Sequence, residues 1–274
     1  MTLMERRFCT DELALNYAEG PSRGQAVVFL HGTVARWQSW LSVLPALAEQ
    51  THIFALDARG YGTSGWSPAQ RYHYLDFVHE AARFLRGAVR EPAVLIGHSR
   101  GATVAMAVAV VSPEIVKGLF IQEPTLRRRA LGGNAEQHTR IRDLIVDQDV
   151  PELARLLLEV DPRQPPQEAL DRAENMTHMD PATFEAFASG EAWDGLDAEQ
   201  LARHLRCPTV IVTGDVAQGS SCSDAELDRL RRLNARVRVL RVSGARHRVH
   251  LSHPTEFVCA CLQFVRALDV ALAP

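Results

Sequence analysis

Short, nearly continuous apolar runs, separated by longer amphipathic segments, constrain this chain more than any other feature. "QAVVFLHG", "THIFALD", "AVLIG", "VKGLFIQ" and "CPTVIVTG" are each too brief for a buried helix and show no alternation of polar and apolar residues. A strand reads this way when both of its faces are covered, as in a parallel sheet flanked by helices. Between these runs, "RWQSWLSVLPALAEQ", "YLDFVHEAARFLRGA" and "ATVAMAVAVVS" are predicted helices. The βαβα order demands crossover connections, and so an α/β fold with a mostly parallel sheet.

The strand signal stops near Pro124 and returns near Leu205. Within that interval "HTRIRDLIVDQ", "PELARLLLEV", "PQEALDRAENM" and "PATFEAFAS" are predicted short helices separated by prolines. "ARVRVLRVSG" is a further strand, and "PTEFVCACLQFVRALDVA" a closing amphipathic helix. The expected organisation is a core domain of residues 1–123 and 206–274, interrupted by a helical insertion of residues 124–205. At 274 residues and 46% hydrophobic content, such a domain has ample core.

The strand "AVLIG" runs directly into Gly97-His98-Ser99-Arg100-Gly101 and then into a helix. A G-x-S-x-G sequence at a strand-to-helix junction is the pattern of a nucleophile elbow. The turn is tight enough to need unbulky residues at both flanks, and it leaves the Ser99 hydroxyl exposed at its tip. The Arg100 backbone N–H, at a new helix N-terminus, can then meet developing negative charge.

With the elbow come "HGT" at residues 31–33, "DARGYGTSGW" at 57–66 and "GARH" at 244–247. These four segments, in this order across almost the whole chain, resemble the α/β-hydrolase fold family. The resemblance implies a mostly parallel sheet with the helical insertion as a cap over the site. It implies a serine hydrolase acting on a carboxylic ester or lactone of a small, largely apolar molecule through an acyl-enzyme. Ser99 is then the nucleophile and His247, after the last strand, the base. The backbone N–H groups of Thr33 and Arg100 form the oxyanion hole. Ser at the nucleophile position argues against the haloalkane dehalogenase and epoxide hydrolase branches, which need a carboxylate there. His31, Asp57, Arg59 and Ser64 are expected to shape loops.

The acid that orients His247 has three candidates. In the commonest version of the fold it follows the strand "PTVIVTG" by about three residues beyond the glycine, a position occupied here by Ala217; Asp215 and Asp224 lie nearby. In an arrangement known from dehalogenase-like and lactone-hydrolase relatives, it follows the preceding strand, and that position is Glu123. Glu123 is the favoured candidate. Two readings of other classes use the same fold. One is a cofactor-independent dioxygenase cleaving 3-hydroxy-4-quinolones, which typically has a second histidine where this chain has Arg100. The other is a slow or non-catalytic receptor for a small lactone.

No cofactor is implied, and the partner expected is a small-molecule substrate. A net charge of −3 gives no support to nucleic acid or an anionic membrane as partner. The five cysteines have no CxxC spacing, so no disulfide framework or zinc site is expected. "HRVHLSH", residues 247–253, has histidines at metal-like spacing, but the nucleophile's need for His247 argues against a metal. With no signal-peptide pattern and no apolar run of membrane-spanning length, the expected location is cytoplasmic. The Arg100 side chain is expected to pair with a carboxylate on a neighbouring helix, or else to contact an acidic substrate.

Overall fold

The computed structural model describes residues 3–127, 135–193 and 196–271. Eight strands, β1 (Met4–Cys9), β2 (Ala14–Glu19), β3 (Ala26–Leu30), β4 (His52–Leu56), β5 (Ala93–His98), β6 (Val116–Gln122), β7 (Thr209–Thr213) and β8 (Val237–Arg241), form one sheet in the order β1-β2-β4-β3-β5-β6-β7-β8. The first two strands pair antiparallel and β2 meets β4 antiparallel, whereas every pairing from β4 onward is parallel. Helices α1 (Leu44–Leu47), α2 (Tyr74–Phe84) and α3 (Arg100–Val111) precede β6 or connect to it. Then come α4 (Ala135–Asp147), α5 (Val150–Val160), α6 (Pro166–Thr177), α7 (Pro181–Ser189) and α8 (Ala198–His204) before β7, with α9 (Asp224–Leu233), α10 (Val249–Ser252) and α11 (Pro254–Ala271) after it.

The central strands are buried on both faces, as their unbroken apolar runs require. Along β3, Val28 and Leu30 join the core shared with α2 and α3, while Val27 and Phe29 join the core shared with α1 and α11. β5 divides in the same way, with Leu95 on the first side and Val94 and Ile96 on the second.

Two sequence expectations are corrected. The segment 36–50 is not one helix: a 3₁₀ turn at Trp37–Trp40 and the short α1 replace it. Pro45 has no N–H for the helical ladder, and its ring clashes with the carbonyl four residues back, so a helix cannot run through it. The amino-terminal hairpin of β1 and β2 was also absent from the expected strands. β1 is exposed along most of its length, and its charged, edge-strand sequence gives no apolar run to detect.

The four helices expected between Pro124 and Leu205 are present as α4 to α7. Leu153, Met176, Met179, Phe184, Phe187 and Trp193 are buried in the core beneath them, with Leu157 partly buried against it. Contact with the rest of the chain is apolar as well as polar, with Tyr74 stacked on Trp193 and meeting Phe187 edge-on. The Tyr72 hydroxyl donates to Asp180, the Asp180 N–H donates to the Gly60 carbonyl at 2.8 Å, and Arg36 pairs with Glu174.

Among the described residues no helix is long and apolar enough to cross a membrane. None of the five cysteines is joined in a disulfide.

Candidate active site

β5 ends at His98, and Ser99 takes a φ of 51° and ψ of −115° before α3 begins at Arg100. A serine rarely adopts positive φ, and the cost is of order 1–3 kcal/mol. Surrounding contacts hold it there. The Ser99 N–H continues the sheet ladder to the Gln122 carbonyl at 3.0 Å. A Cβ at Gly97 would lie 2.5 Å from the Gly101 carbonyl oxygen, and one at Gly101 would lie 2.1 Å from that of Leu30. Only glycine at both positions lets strand and helix come so close. As the first residue of α3, Arg100 has no acceptor for its N–H within the helix.

One strand over, the same device recurs. Glu123, immediately after β6, has a φ of 49°, and its N–H continues the ladder to the Val212 carbonyl at 3.0 Å. Ser99 and Glu123 therefore occupy the carboxyl ends of neighbouring parallel strands, where ligand sites of open α/β sheets gather.

The Glu123 side chain is 0% exposed and fully engaged. Its Oε1 accepts from the Thr213 hydroxyl at 2.6 Å, the Gly214 N–H at 3.0 Å and the Ser220 hydroxyl at 2.7 Å. Its Oε2 accepts from the Ser221 N–H at 2.6 Å, the Ser221 hydroxyl at 2.9 Å and His247 Nδ1 at 3.2 Å. Burial works against ionisation, but the His247 bond and charge, with the hydroxyl donors of Thr213 and Ser220, outweigh it and hold the carboxyl down to about 2. A carboxylate surrounded by donors fixes the proton of His247 on Nδ1, which leaves Nε2 with its lone pair.

Asp215 and Asp224 are engaged elsewhere. Asp215 Oδ2 accepts from the Gly244 N–H at 2.6 Å, which shapes the loop before His247, and Asp224 forms an ion pair with Arg241. The Ser99 hydroxyl is hydrogen-bonded to Thr125 Oγ1 at 3.5 Å, and among the described residues it has no hydrogen bond to His247. The His247 ring instead lies beside His98, with centroids 4.7 Å apart. Contacts of this kind commonly tighten only when substrate is bound.

His31, His98, His250 and His253 make structural contacts. His31 Nδ1 donates to the Gly32 carbonyl at 2.8 Å and Nε2 accepts the Ala58 N–H at 3.0 Å, so both ring nitrogens join the loops after β3 and β4. Burial, with the Arg100 cation adding to it, drives its pKa down to about 3. His250 bonds Gln122 at 2.6 Å and packs on Trp40, and His98 and His250 are both held neutral chiefly by burial. His253 bonds the Ser252 hydroxyl. Among the described residues no group of His, Cys, Asp or Glu could hold a metal ion.

Asp57, Arg59 and Ser64 shape turns, as expected. Asp57 accepts from the Trp37 N–H at 2.7 Å, the Thr63 N–H at 3.2 Å and Asn16 Nδ2 at 2.9 Å; Ser64 Oγ donates to the Asp57 carbonyl at 2.7 Å; and Arg59 pairs with Glu80 at 2.8 Å.

The expectation for the Arg100 side chain is corrected. Among the described residues it pairs with no carboxylate. Its guanidinium lies between the rings of Tyr61 and Phe77, 4.2 Å from each centroid, and Nη2 points to the Gly32 carbonyl at 3.5 Å. Aromatic faces stabilise a desolvated cation by about 2 kcal/mol or more, which accounts for a buried arginine here without an acid. Arg127, four residues beyond Glu123, pairs with Glu226 and not with Glu123.

Thr125, Thr213, Ser220 and Ser221 were not anticipated as site residues. Their signal is weak in sequence, because a hydroxyl residue carries no pattern until the fold sets it beside an acid.

The sequence profile of the Alpha/beta hydrolase family matches residues 27–260, and the chain belongs to that family. It is an enzyme of the hydrolase class. It is 26% identical over 277 residues to the 2-(acetamidomethylene)succinate hydrolase of Mesorhizobium japonicum, covering 96% of each chain. It is 23% identical over 273 residues to the sn-1-specific diacylglycerol lipase ABHD11 of Danio rerio, covering 93% of this chain and 82% of the relative. In structure it is similar to the N-formylmaleamic acid deformylase of Pseudomonas putida S16, with a TM-score of 0.78 at 17% identity, covering 94% of this chain and 100% of that one.

Proposed function

We propose that the protein hydrolyses a carboxylic ester or lactone of a small, largely apolar molecule through an acyl-enzyme on Ser99. The observation that carries this reading is the pair formed by Glu123 and His247, set at the strand ends beside a serine in a nucleophile-elbow conformation. A serine hydroxyl is protonated at neutral pH and attacks only when a base takes its proton. His247 Nε2 is that base, after a rotation of the Ser99 side chain away from Thr125. Glu123 keeps the imidazole in the right tautomer and stabilises the imidazolium formed during attack.

The carbonyl oxygen becomes an oxyanion that the N–H groups of Thr33 and Arg100 receive. The imidazolium then gives its proton to the leaving alcohol oxygen, and the acyl group stays on Ser99. Water, deprotonated by His247, attacks the acyl-enzyme and releases the acid. No step needs a cofactor. The relatives' names span a substituted succinate and a diacylglycerol, so they point to no single substrate. On this reading residues 124–205 are that cap.

The test is turnover of p-nitrophenyl esters of graded chain length and of aromatic lactones, with Ser99→Ala as control. Turnover abolished in Ser99→Ala supports the reading. Turnover unchanged in that variant refutes it.

A further inference from the structure

Beside His247 lies a cavity of about 270 Å³, lined on one side by Gln218, Gly219 and Ser221 and on the other by the α5–α6 region. Its charged lining is unbalanced. Arg172, Arg246 and Arg248 face it, against the carboxylates of Asp161 and Glu168. Both acids are already committed, since Asp161 pairs with Arg246 at 3.2 Å and Glu168 with Arg248 at 2.5 Å.

Arg172 has no acid among the described residues. Its Nη1 donates to Gln164 Oε1 at 2.8 Å, a neutral partner, and its Nε is buried without any acceptor. Burial acts most against its charge, followed by the neighbouring Arg248 cation, while the more distant carboxylates of Glu168 and Asp161 offset this only in part. A half-buried guanidinium with no carboxylate bonded to it lacks a direct counter-charge, and an anion entering the cavity supplies one. Arginine's planar fork suits carboxylate in particular, through two parallel hydrogen bonds. The cavity is small and polar, and it opens on the residue proposed as base.

We propose that this cavity is a carboxylate subsite, in which Arg172 binds a free carboxylate of the substrate, so that the ester or lactone cleaved at Ser99 carries a second, anionic group. The inference rests on the reading of Ser99 as nucleophile and adds the substrate's charge to it. Ser99 does not line the cavity. The anionic group therefore sits on the His247 side of the site, and the apolar part of the molecule extends toward the elbow.

The experiment compares monomethyl succinate and monomethyl glutarate with neutral methyl esters of the same chain length. The readout is the ratio of kcat/KM, charged over neutral. In the wild-type enzyme that ratio is expected to exceed 10. In Arg172→Gln it is expected to fall at least tenfold, mainly through KM, and Arg172→Lys keeps part of it. Arg155→Gln, on the exposed face of α5 where Arg155 pairs with Glu159, should retain the wild-type ratio.

Calorimetric titration of Ser99→Ala protein with monomethyl succinate reads the subsite without turnover. Binding that is lost when Arg172→Gln is added supports the proposal. A wild-type ratio near one, or a ratio unmoved by Arg172→Gln, overturns it while leaving the hydrolase reading intact. Failure of Ser99 to be acylated by any ester overturns the hydrolase reading instead.

Discussion

Replacing Glu123 by Gln keeps the shape of the side chain and removes one oxygen. Six donors converge on the carboxylate, three on each oxygen, and two of them are backbone N–H groups, Gly214 on Oε1 and Ser221 on Oε2. Whichever way the amide turns, its NH₂ faces one of those N–H groups. A buried donor left unpaired costs about 1–3 kcal/mol. If the NH₂ takes the Oε2 position, His247 Nδ1–H loses its acceptor and the ring can turn or change tautomer. Loss of tautomer control of this kind costs a serine hydrolase about 10⁴-fold in kcat with geometry otherwise retained.

The expected outcome for Glu123→Gln is therefore a fall in kcat of about 10³- to 10⁴-fold, a smaller change in KM, and a modest drop in melting temperature. Steady-state kinetics on a p-nitrophenyl ester, with circular dichroism to verify folding, measures all three. Asp215→Asn is the matched control. Its carboxylate holds the Gly244 N–H and does not contact His247, so turnover should remain within about tenfold of wild type. The reasoning is refuted if the two variants exchange behaviour, with Glu123→Gln near native and Asp215→Asn reduced about 10³-fold.

The same carboxylate links stability to pH. Its folded pKa, about 2, lies below the ordinary 4.5, so its contribution is complete above pH 4.5 and disappears as pH falls through about 2. The difference corresponds to about 3 kcal/mol, and urea midpoints at pH 7, 4 and 3 should show the wild-type advantage over Glu123→Gln shrinking with acid. Asp57→Asn should destabilise by about 2 kcal/mol, since Oδ2 accepts from both Asn16 and Thr63 while Trp37 bonds Oδ1; chemical denaturation reads this, and an unchanged midpoint contradicts it. Arg100→Met replaces a buried cation by a side chain that fits between Tyr61 and Phe77; thermal melts should show stability kept or raised, and KM for charged and neutral esters should change alike. Gly101→Ala places a methyl 2.1 Å from the Leu30 carbonyl and should give little folded protein, judged by yield and gel filtration.

The parts of the site written plainly in the sequence are those with a steric cause. An elbow needs glycines at two fixed places, so Ser99 announces itself. Glu123 was legible as the first carboxylate beyond a strand end, and His247 as the histidine after the last strand. The residues that hold Glu123 were not. Ser220 and Ser221 lie in "SSCSDAEL", where Ser223 caps α9, but the serines before it reach back nearly a hundred positions to the acid. Long-range hydrogen bonds of single hydroxyls leave no periodicity. The surroundings of Arg100 were hidden for the same reason, because Tyr61 and Phe77 meet it only once α3 packs against α2 and the loop after β4. In the fold, the buried strands showed through their apolar runs, whereas β1, exposed and charged, did not. Pro45 was visible in the sequence, and the helix over 36–50 was expected in spite of it.

The central claim is that Ser99 becomes covalently acylated with His247 as its base. Treating the protein with a fluorophosphonate and mapping the adduct by tandem mass spectrometry tests it most directly. A single adduct on Ser99, formed rapidly in the wild type, slowly in His247→Ala and not at all in Ser99→Ala, is the predicted result. An unlabelled Ser99 in folded wild-type protein, or labelling equally fast without His247, contradicts it.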